Sequence, residues 1–485
     1  MKYSTPEKRG ISTESIKKYL AHLERAGLST HSLIIARGDD IVLEKYWKPF
    51  NRDFLHRMYS VSKSFVALAV GFLVQEGRMS LDDPICKFFP DECAKAYDDN
   101  IRKQTIRQMM MMSSALPKGY PNWMKTAAED RVLDYFTNNR GSQYPAGSIF
   151  TYDSTGSFVV GAAVERVTGK RCMDYLYEKM LSKIGVEGAY ALSCPGGWSW
   201  MDSAVMMRPI DLCRCARFVL NGGSWCGEQI LDADYLREAT SALVCNNDYG
   251  FGSLDCEGYG YLFWRTRYNS FFFNGMGCQL AVCCPERDLI LVYNGDNQGN
   301  PVAKSVIIDG FFDIIYENVK DEPLPEYVGE PIAESELFAL KGKASAPILE
   351  RVNGTRFLLD DNPMGISEFT LRFGSDEGEF EYVNKTGKKI LPFGILKNVF
   401  SKFPEEGYSL DVGAMVAPGN KYDCAASAAF ANDYQLAMRV QIIDKYFGNL
   451  GIIFGFVGDE VGIKMTKCAE NFLDTYGGYA KGKKA

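Results

Sequence analysis

The sequence predicts an α+β protein: one antiparallel sheet flanked by helices and carrying an all-helical subdomain, then a smaller β-rich domain. Three observations predict it. Strand-like runs stand near both ends of the first 320 residues and bracket a helical middle, composition breaks near residue 321, and the remaining residues alternate apolar with polar.

In chain order, Thr13 to Ala26 has the spacing of an amphipathic helix. Ser32 to Arg37 and Asp40 to Tyr46 are short apolar runs joined by Gly38-Asp39, a hairpin signal. The apolar stretch Phe65 to Val74 reads as a buried helix, stopped at Gly77. Helical patterns alternate with loops to about residue 240, and strand-like runs return at Tyr261 to Trp264, Gln279 to Cys284 and Leu289 to Tyr293. Asp321-Glu-Pro-Leu-Pro-Glu-Tyr-Val-Gly-Glu-Pro reads as a linker, which gives a first domain over 1–320, a linker over 321–345 and a second domain over 346–485. In that second domain Glu368 to Phe373, Glu379 to Val383, Gln435 to Ile443 and Leu450 to Met465 alternate as strands do, with turns at Asn384-Lys-Thr-Gly and Gly458-Asp-Glu. A barrel or a sandwich satisfies them equally.

A composition 46% hydrophobic and 24% charged is that of a globular protein and excludes disordered and collagen-like chains. The net charge of −7 argues against nucleic acid or an anionic membrane as partner and favours a small molecule. With no apolar region behind the opening Met-Lys-Tyr-Ser-Thr-Pro-Glu-Lys-Arg-Gly and no stretch long enough to span a bilayer, a cytoplasmic location is expected. The 14 cysteines run from Cys86 to Cys468 without a Cys-x-x-Cys pair and read as free, buried thiols. The 3 histidines, His22, His31 and His56, lack metal-ligand spacing, so neither metal nor organic cofactor is expected.

With no histidine after position 56 and no Gly-x-Ser-x-Gly, a Ser-His-Asp hydrolase of the usual order cannot be built. Lysine-assisted serine chemistry is the alternative, and Tyr59-Ser-Val-Ser-Lys-Ser-Phe supplies it. Ser60 and Lys63 fall on one face of a helix beginning at Ser60, and the apolar run behind them is expected to bury the amine in a poorly solvated place. Lys63 could then take the proton of Ser60. Ser15 and Lys18 repeat the spacing on a polar helix, where a hydrated lysine keeps its proton. Downstream, Tyr144-Pro-Ala-Gly-Ser-Ile-Phe-Thr-Tyr-Asp-Ser-Thr-Gly leads a loop into the helix Phe158 to Val167. Tyr152 there could shuttle a proton, and Ser154 could hydrogen-bond the lysine.

These residues, with their surroundings, resemble the serine β-lactamase-like superfamily, in its branch of class C β-lactamases, D-alanyl-D-alanine carboxypeptidases and esterases. Its first motif is Ser-x-x-Lys and its second Tyr-x-Asn or Tyr-x-Ser. Gly77-Arg-Met-Ser-Leu-Asp-Asp-Pro, Thr105-Ile-Arg-Gln-Met-Met-Met-Met-Ser-Ser-Ala-Leu and Arg208-Pro-Ile-Asp-Leu through Leu220-Asn-Gly-Gly are similar to further family segments, so the likeness covers about residues 5 to 310. The third motif, usually Lys-Thr-Gly or His-x-Gly, falls at Phe273-Asn274-Gly275 and is followed by Met276.

The resemblance implies a β-lactamase-like sheet and an acyl-enzyme on Ser60, with Lys63 and Tyr152 in the proton network and Asn274 against the substrate. The oxyanion is expected between the backbone N–H groups of Ser60 and Met276, beside Gly275. Phe273 replaces the cation that binds a substrate carboxylate, and its ring is expected to face a neutral acyl or alcohol group. That points away from β-lactams and toward small esters or amides, with Trp123, Trp198, Trp200, Tyr261 and Trp264 near the cleft. Acyl transfer to an alcohol or amine, D-amino-acid peptidase or β-lactamase activity, and a silent binding protein are the alternatives. The β-rich domain is expected to narrow the site or support a homodimer.

Overall fold

In the first unit, two strands from near the N-terminus and three from residues 270 to 295 form the centre of the main sheet. The computed structural model describes all residues except 97–98, 115–129, 138–143, 248–256, 410, 414 and 470–474. The chain divides into two units, Met1–Glu336 with Asp411–Gly413, and Leu337–Leu410 with Ala414–Ala485.

The first unit's sheet has 8 strands. The hairpin Thr30–Arg37 and Asp40–Lys48 turns at Gly38, whose φ of +58° needs no side chain in the way. Thr30–Arg37 pairs antiparallel with Leu289–Gly295, Ile35 opposite Leu291, and that strand continues the sheet through Gln279–Cys284, Ser270–Gly275 and Trp264–Thr266. Lys2–Tyr3 and Ser335–Glu336 add parallel pairs to Asp40–Lys48. The central strands are buried along their length, which is why they read as continuous apolar runs. Tyr261 to Trp264 departs from expectation. The strand begins only at Trp264, because Tyr261 and Leu262 donate their N–H groups to Ala239 and Met110 outside the sheet, and Leu262 takes a φ of +60°.

Helix Val61–Gln75 is buried from Val61 to Leu73, so a one-sided apolar stripe is not needed. Helix Ser154–Thr168 lies close by. A Cβ on Gly161 would stand 3.4 Å from Val66 Cγ2 and 3.0 Å from Met201 Cβ. The expectation of free, buried thiols needs correction among the described cysteines, where Cys468 is only half-buried. Cys86 and Cys93 form a disulfide, brought together by a short helical turn at Ile85–Lys87 and another at Pro90–Cys93, and Cys226 and Cys245 are exposed.

The second unit is a closed β-barrel. Strands run in sequence from Arg356–Leu359 to Gly387–Ile395 and from Gly478–Lys484 back to Asp423–Asn432, and the ring shuts where Gly394 and Ile395 pair parallel with Ser427 and Ala428. Closure removes the free edges that an open sheet would present. The interior is aromatic: Phe357 stacks on Phe369 at 5.1 Å, and Phe380 meets Phe454 at 5.2 Å. In the segment expected as a linker, Tyr327 accepts a hydrogen bond from Lys17 and Ala333 one from Lys45, so residues up to Glu336 are held to the first unit. No helix among the described residues is long and apolar enough to cross a membrane.

His56, on the short strand His56–Arg57, is fully buried, with Nε2 3.3 Å from His31 Nδ1. Burial pushes its pKa down from 6.5 to about 3, against a smaller opposing backbone hydrogen bond at Phe54. Above pH 6.5 the imidazole is neutral in folded and unfolded chains alike. Below it the unfolded chain takes up a proton that the folded chain refuses, so stability falls toward pH 3 by up to about 1.4 kcal/mol per pH unit. His56→Gln should therefore flatten the acid side of a plot of Tm against pH; parallel plots for the two proteins would exclude His56 as the source.

Candidate active site

The approach to Ser60 is a strained turn between a strand and a helix. Strand His56–Arg57 pairs with Val205–Met207, and Met58 N–H donates to Val205 O at 2.8 Å. Tyr59 then takes a φ of +46°, a left-handed conformation that costs a non-glycine residue about 1–3 kcal/mol. The fully buried Arg57 guanidinium lies 4.5 Å over the Tyr59 ring and 4.4 Å over that of Trp200. Ser60 follows at the helix N-cap with φ −67° and ψ −9°, but its hydroxyl makes no capping bond. It accepts instead from Lys63 Nζ at 2.8 Å.

Lys63 is 1% exposed, yet its amine does not sit in the apolar pocket expected from the neighbouring run. Nζ also donates to the main-chain oxygen of Asp202 at 2.5 Å. A loop 139 residues away along the chain brings that oxygen. That loop is tightly held. Both carboxylate oxygens of Asp202 accept from Arg131, at 2.9 and 2.8 Å, with both side chains at most 1% exposed. Burial alone would raise the Asp202 pKa, but the charge and hydrogen bonds of Arg131, helped by Lys63, hold it below the ordinary carboxylate value. Arg57 Nε donates to Ser203 O at 3.0 Å, and Val205 N–H to Ser62 Oγ at 2.9 Å. Breaking a buried pair of this kind by removing one partner typically costs about 3–5 kcal/mol.

Tyr152 is half-buried, its ring centre 5.2 Å from Lys63 Nζ and 5.6 Å from the Trp264 ring. Asp153 caps the following helix by accepting from Thr155 N–H at 3.0 Å, which sets Tyr152 one residue outside it. Ser154 is buried at the first helical position. Among the described residues Lys63 bonds Ser60 and Asp202, not Ser154, so the expected Ser154–Lys63 bond is corrected: the loop carbonyl takes that place.

The third segment lies on strand Ser270–Gly275. Phe273 is fully buried against Phe263 at 5.0 Å and Phe65 at 6.4 Å, so its ring belongs to the core and does not face a ligand, contrary to expectation. At Gly275 a Cβ would stand 2.3 Å from Met58 O. The close approach that demands glycine is thus to the turn carrying Ser60. Asn274 is half-buried and Met276 is 44% exposed. The turn after Gly275 is fixed from below: Gln279 Nε2 donates to Met276 O at 3.2 Å and to Gly295 O at 2.6 Å, while Asn294 Nδ2 donates to Gln279 Oε1 at 2.9 Å.

Of the described aromatic residues expected near the cleft, Trp264 lies against Tyr152. Trp200 stacks on buried Arg57, Trp198 lies near Arg166, Tyr261 is buried beside Arg107, and Trp123 is outside the described residues. Lys18 is exposed on the first helix, as its hydrated surroundings predict. Sequence reasoning missed Arg57, Tyr59, Arg131 and Asp202. Arg57, Arg131 and Asp202 are common residues outside any motif, and Tyr59 stands in the quoted segment only as the neighbour of Ser60. Among the described residues no cluster of His, Cys, Asp and Glu could hold a metal ion.

A serine on a lysine amine at the start of a buried helix, with a tyrosine ring alongside and an antiparallel sheet above, defines a protein of the β-lactamase and penicillin-binding-protein fold. The chain belongs to the Beta-lactamase family, whose model matches residues 15–306. It is 25% identical over 287 residues to a 6-aminohexanoate-dimer hydrolase of Paenarthrobacter ureafaciens, covering 54% of this chain and 71% of that protein. It is 29% identical over 156 residues to esterase EstB of Burkholderia gladioli, covering 28% of this chain and 38% of the esterase, so the chain spans well under half of that relative. The fold is similar, with a TM-score of 0.50 at 16% identity, to the octameric penicillin-binding protein homologue of Pyrococcus abyssi, over 97% of this chain and 99% of that one. The family thus includes hydrolases of esters and of amides.

The contact at Gly275 generates a direct test. Gly275→Ala should lower Tm by several degrees, in line with about 1–3 kcal/mol for overpacking a tight site. An unchanged Tm would mean that the strand does not press on the turn before Ser60.

Proposed function

We propose that this protein is a serine hydrolase that cleaves small, neutral ester or amide substrates through an acyl-enzyme on Ser60. The observation that carries the reading is the 2.8 Å hydrogen bond between Ser60 Oγ and a buried lysine amine, with the hydroxyl released from helix capping. In the first step Ser60 Oγ bonds to the substrate carbonyl carbon and its proton passes to Lys63 Nζ. The carbonyl oxygen becomes an oxyanion facing the N–H groups of Ser60 and Met276, each worth about 10²- to 10³-fold in rate. The bond to the alcohol or amine then breaks, and the leaving group takes the proton from the Lys63–Tyr152 network. In the second step water adds to the acyl carbon, the Ser60 ester bond breaks, and a carboxylic acid leaves as Ser60 regains its proton.

Asn274, half-buried on strand Ser270–Gly275, is assigned a contact with the substrate. The third segment, Phe273-Asn274-Gly275, carries no cation of its own, which supports a neutral substrate. The amide-cleaving and ester-cleaving relatives are consistent with either bond, and the reaction is proposed to take place in the cytoplasm.

Intact-mass spectrometry with p-nitrophenyl esters, a chromogenic cephalosporin and a D-Ala-D-Ala peptide tests the assignment. A covalent adduct from the ester, absent in Ser60→Ala and not formed by the cephalosporin, is expected. Lys63→Met should slow acylation by about 10²- to 10⁴-fold while Lys18→Met leaves it unchanged. Equal labelling of Ser60→Ala would remove Ser60 from the mechanism. Fast cephalosporin turnover would overturn the substrate class.

A further inference from the structure

The proposed mechanism leaves one buried ion pair without a task. Asp202 meets Lys63 through its main-chain oxygen, 2.5 Å from Nζ, while its carboxylate is gripped by both Nη atoms of Arg131. The Lys63 amine and the Arg131 guanidinium therefore converge on one buried residue, and the structure gives its carboxylate to the one that has no part in the chemistry. Arg131 also meets two neutral groups. Its guanidinium lies 4.0 Å over the Phe158 ring, and Nη1 is 3.6 Å from Cys194 Sγ.

Resting on the reading of Lys63 as the base, we propose that Asp202 and Arg131 are positioning residues for Lys63. The Asp202 carbonyl fixes Nζ against Ser60, and Arg131 neutralises the Asp202 carboxylate so that this charge does not lock Lys63 as an ammonium.

The argument is one of charge balance in a poorly screened interior, where a carboxylate left alone takes the nearest cation. Among the described residues, the other charged or titratable groups near Lys63 or near the ion pair are these. Tyr152 approaches from the loop before helix Ser154–Thr168. Arg57, on the strand before the turn, is stacked between Tyr59 and Trp200 and bonded to Ser203. Glu165, on helix Ser154–Thr168, accepts from the N–H groups of Cys172 and Ser199 at 2.9 and 3.4 Å. Cys194 is buried and pushed up to about 11, mainly by burial, with Arg131 opposing. The Asp202 carboxylate is thus the charge whose balance changes when Arg131 is altered. A plain structural brace would hold the loop equally well but would have no influence on the protonation of Lys63.

The experiment measures the rate of covalent labelling by a fluorophosphonate against pH, read by intact mass, together with Tm. Removing Arg131 while keeping the carboxylate, in Arg131→Met, should move the acid-side midpoint upward by about one unit or more and slow labelling at neutral pH at least about tenfold. Removing the carboxylate while keeping the arginine, in Asp202→Asn, should move the midpoint downward. The double variant Arg131→Met/Asp202→Asn should return it close to wild type. Arg131→Lys, which keeps the charge but loses the two-pronged grip, should shift it upward by less and serves if Arg131→Met does not fold. Midpoints that stay put in the folded variants while Tm falls would overturn the proposal and make the pair a brace. If wild type and Ser60→Ala label alike, the acyl-enzyme reading fails first; if wild type alone labels, the midpoints judge the ion pair by itself.

Discussion

Burial of a lysine amine at the start of a helix is the constraint around which the rest of the site is arranged. An interior polar group must find partners or forfeit its hydration, and Lys63 finds them in Ser60 Oγ and the Asp202 carbonyl. The first partner is local, three residues back along the chain. The second comes from a loop that must itself be anchored, and Arg131, Arg57 and Ser62 anchor it through side chains inside the fold. A hydroxyl that the sequence presents as an ordinary helix cap is thereby diverted to an amine.

The turn before Ser60 shows how the sheet and the helix constrain one another. Tyr59 tolerates a left-handed backbone because its ring is held by the Arg57 guanidinium and the following helix is buried. Strand Ser270–Gly275 comes against the same turn at Met58, so close that only glycine fits at position 275. Beneath it, the amides of Gln279 and Asn294 bond to each other and to the carbonyls of Met276 and Gly295, which sets the backbone beyond the strand. Such fully satisfied buried networks favour one arrangement of the backbone over near alternatives.

The barrel unit obeys a different rule. Its strands alternate inward and outward side chains, and the aromatic residues Phe357, Phe369, Phe380 and Phe454 fill the interior. Alternation was legible in the sequence, but a barrel and a sandwich share it. The choice between them lies in the pairing of Gly394 and Ile395 with Ser427 and Ala428, about thirty residues apart, which no local pattern encodes.

By itself the sequence determined what depends on neighbours along the chain: the hairpin at Gly38, the buried helical run Phe65 to Val74, the strands Gln279–Cys284, Glu368–Phe373 and Gln435–Ile443, and the placing of Ser60 and Lys63 on one helical face. These follow from periodicity, turn residues and a spacing of three. Tertiary structure alone decided that Phe273 points into the core, that Ser154 leaves Lys63 to a loop carbonyl, and that Arg131 reaches Asp202 across 71 residues. The physical reason is that burial, pairing of charges and close backbone approach are properties of groups brought together by the whole fold, and each of those groups, taken alone in the chain, is an ordinary residue.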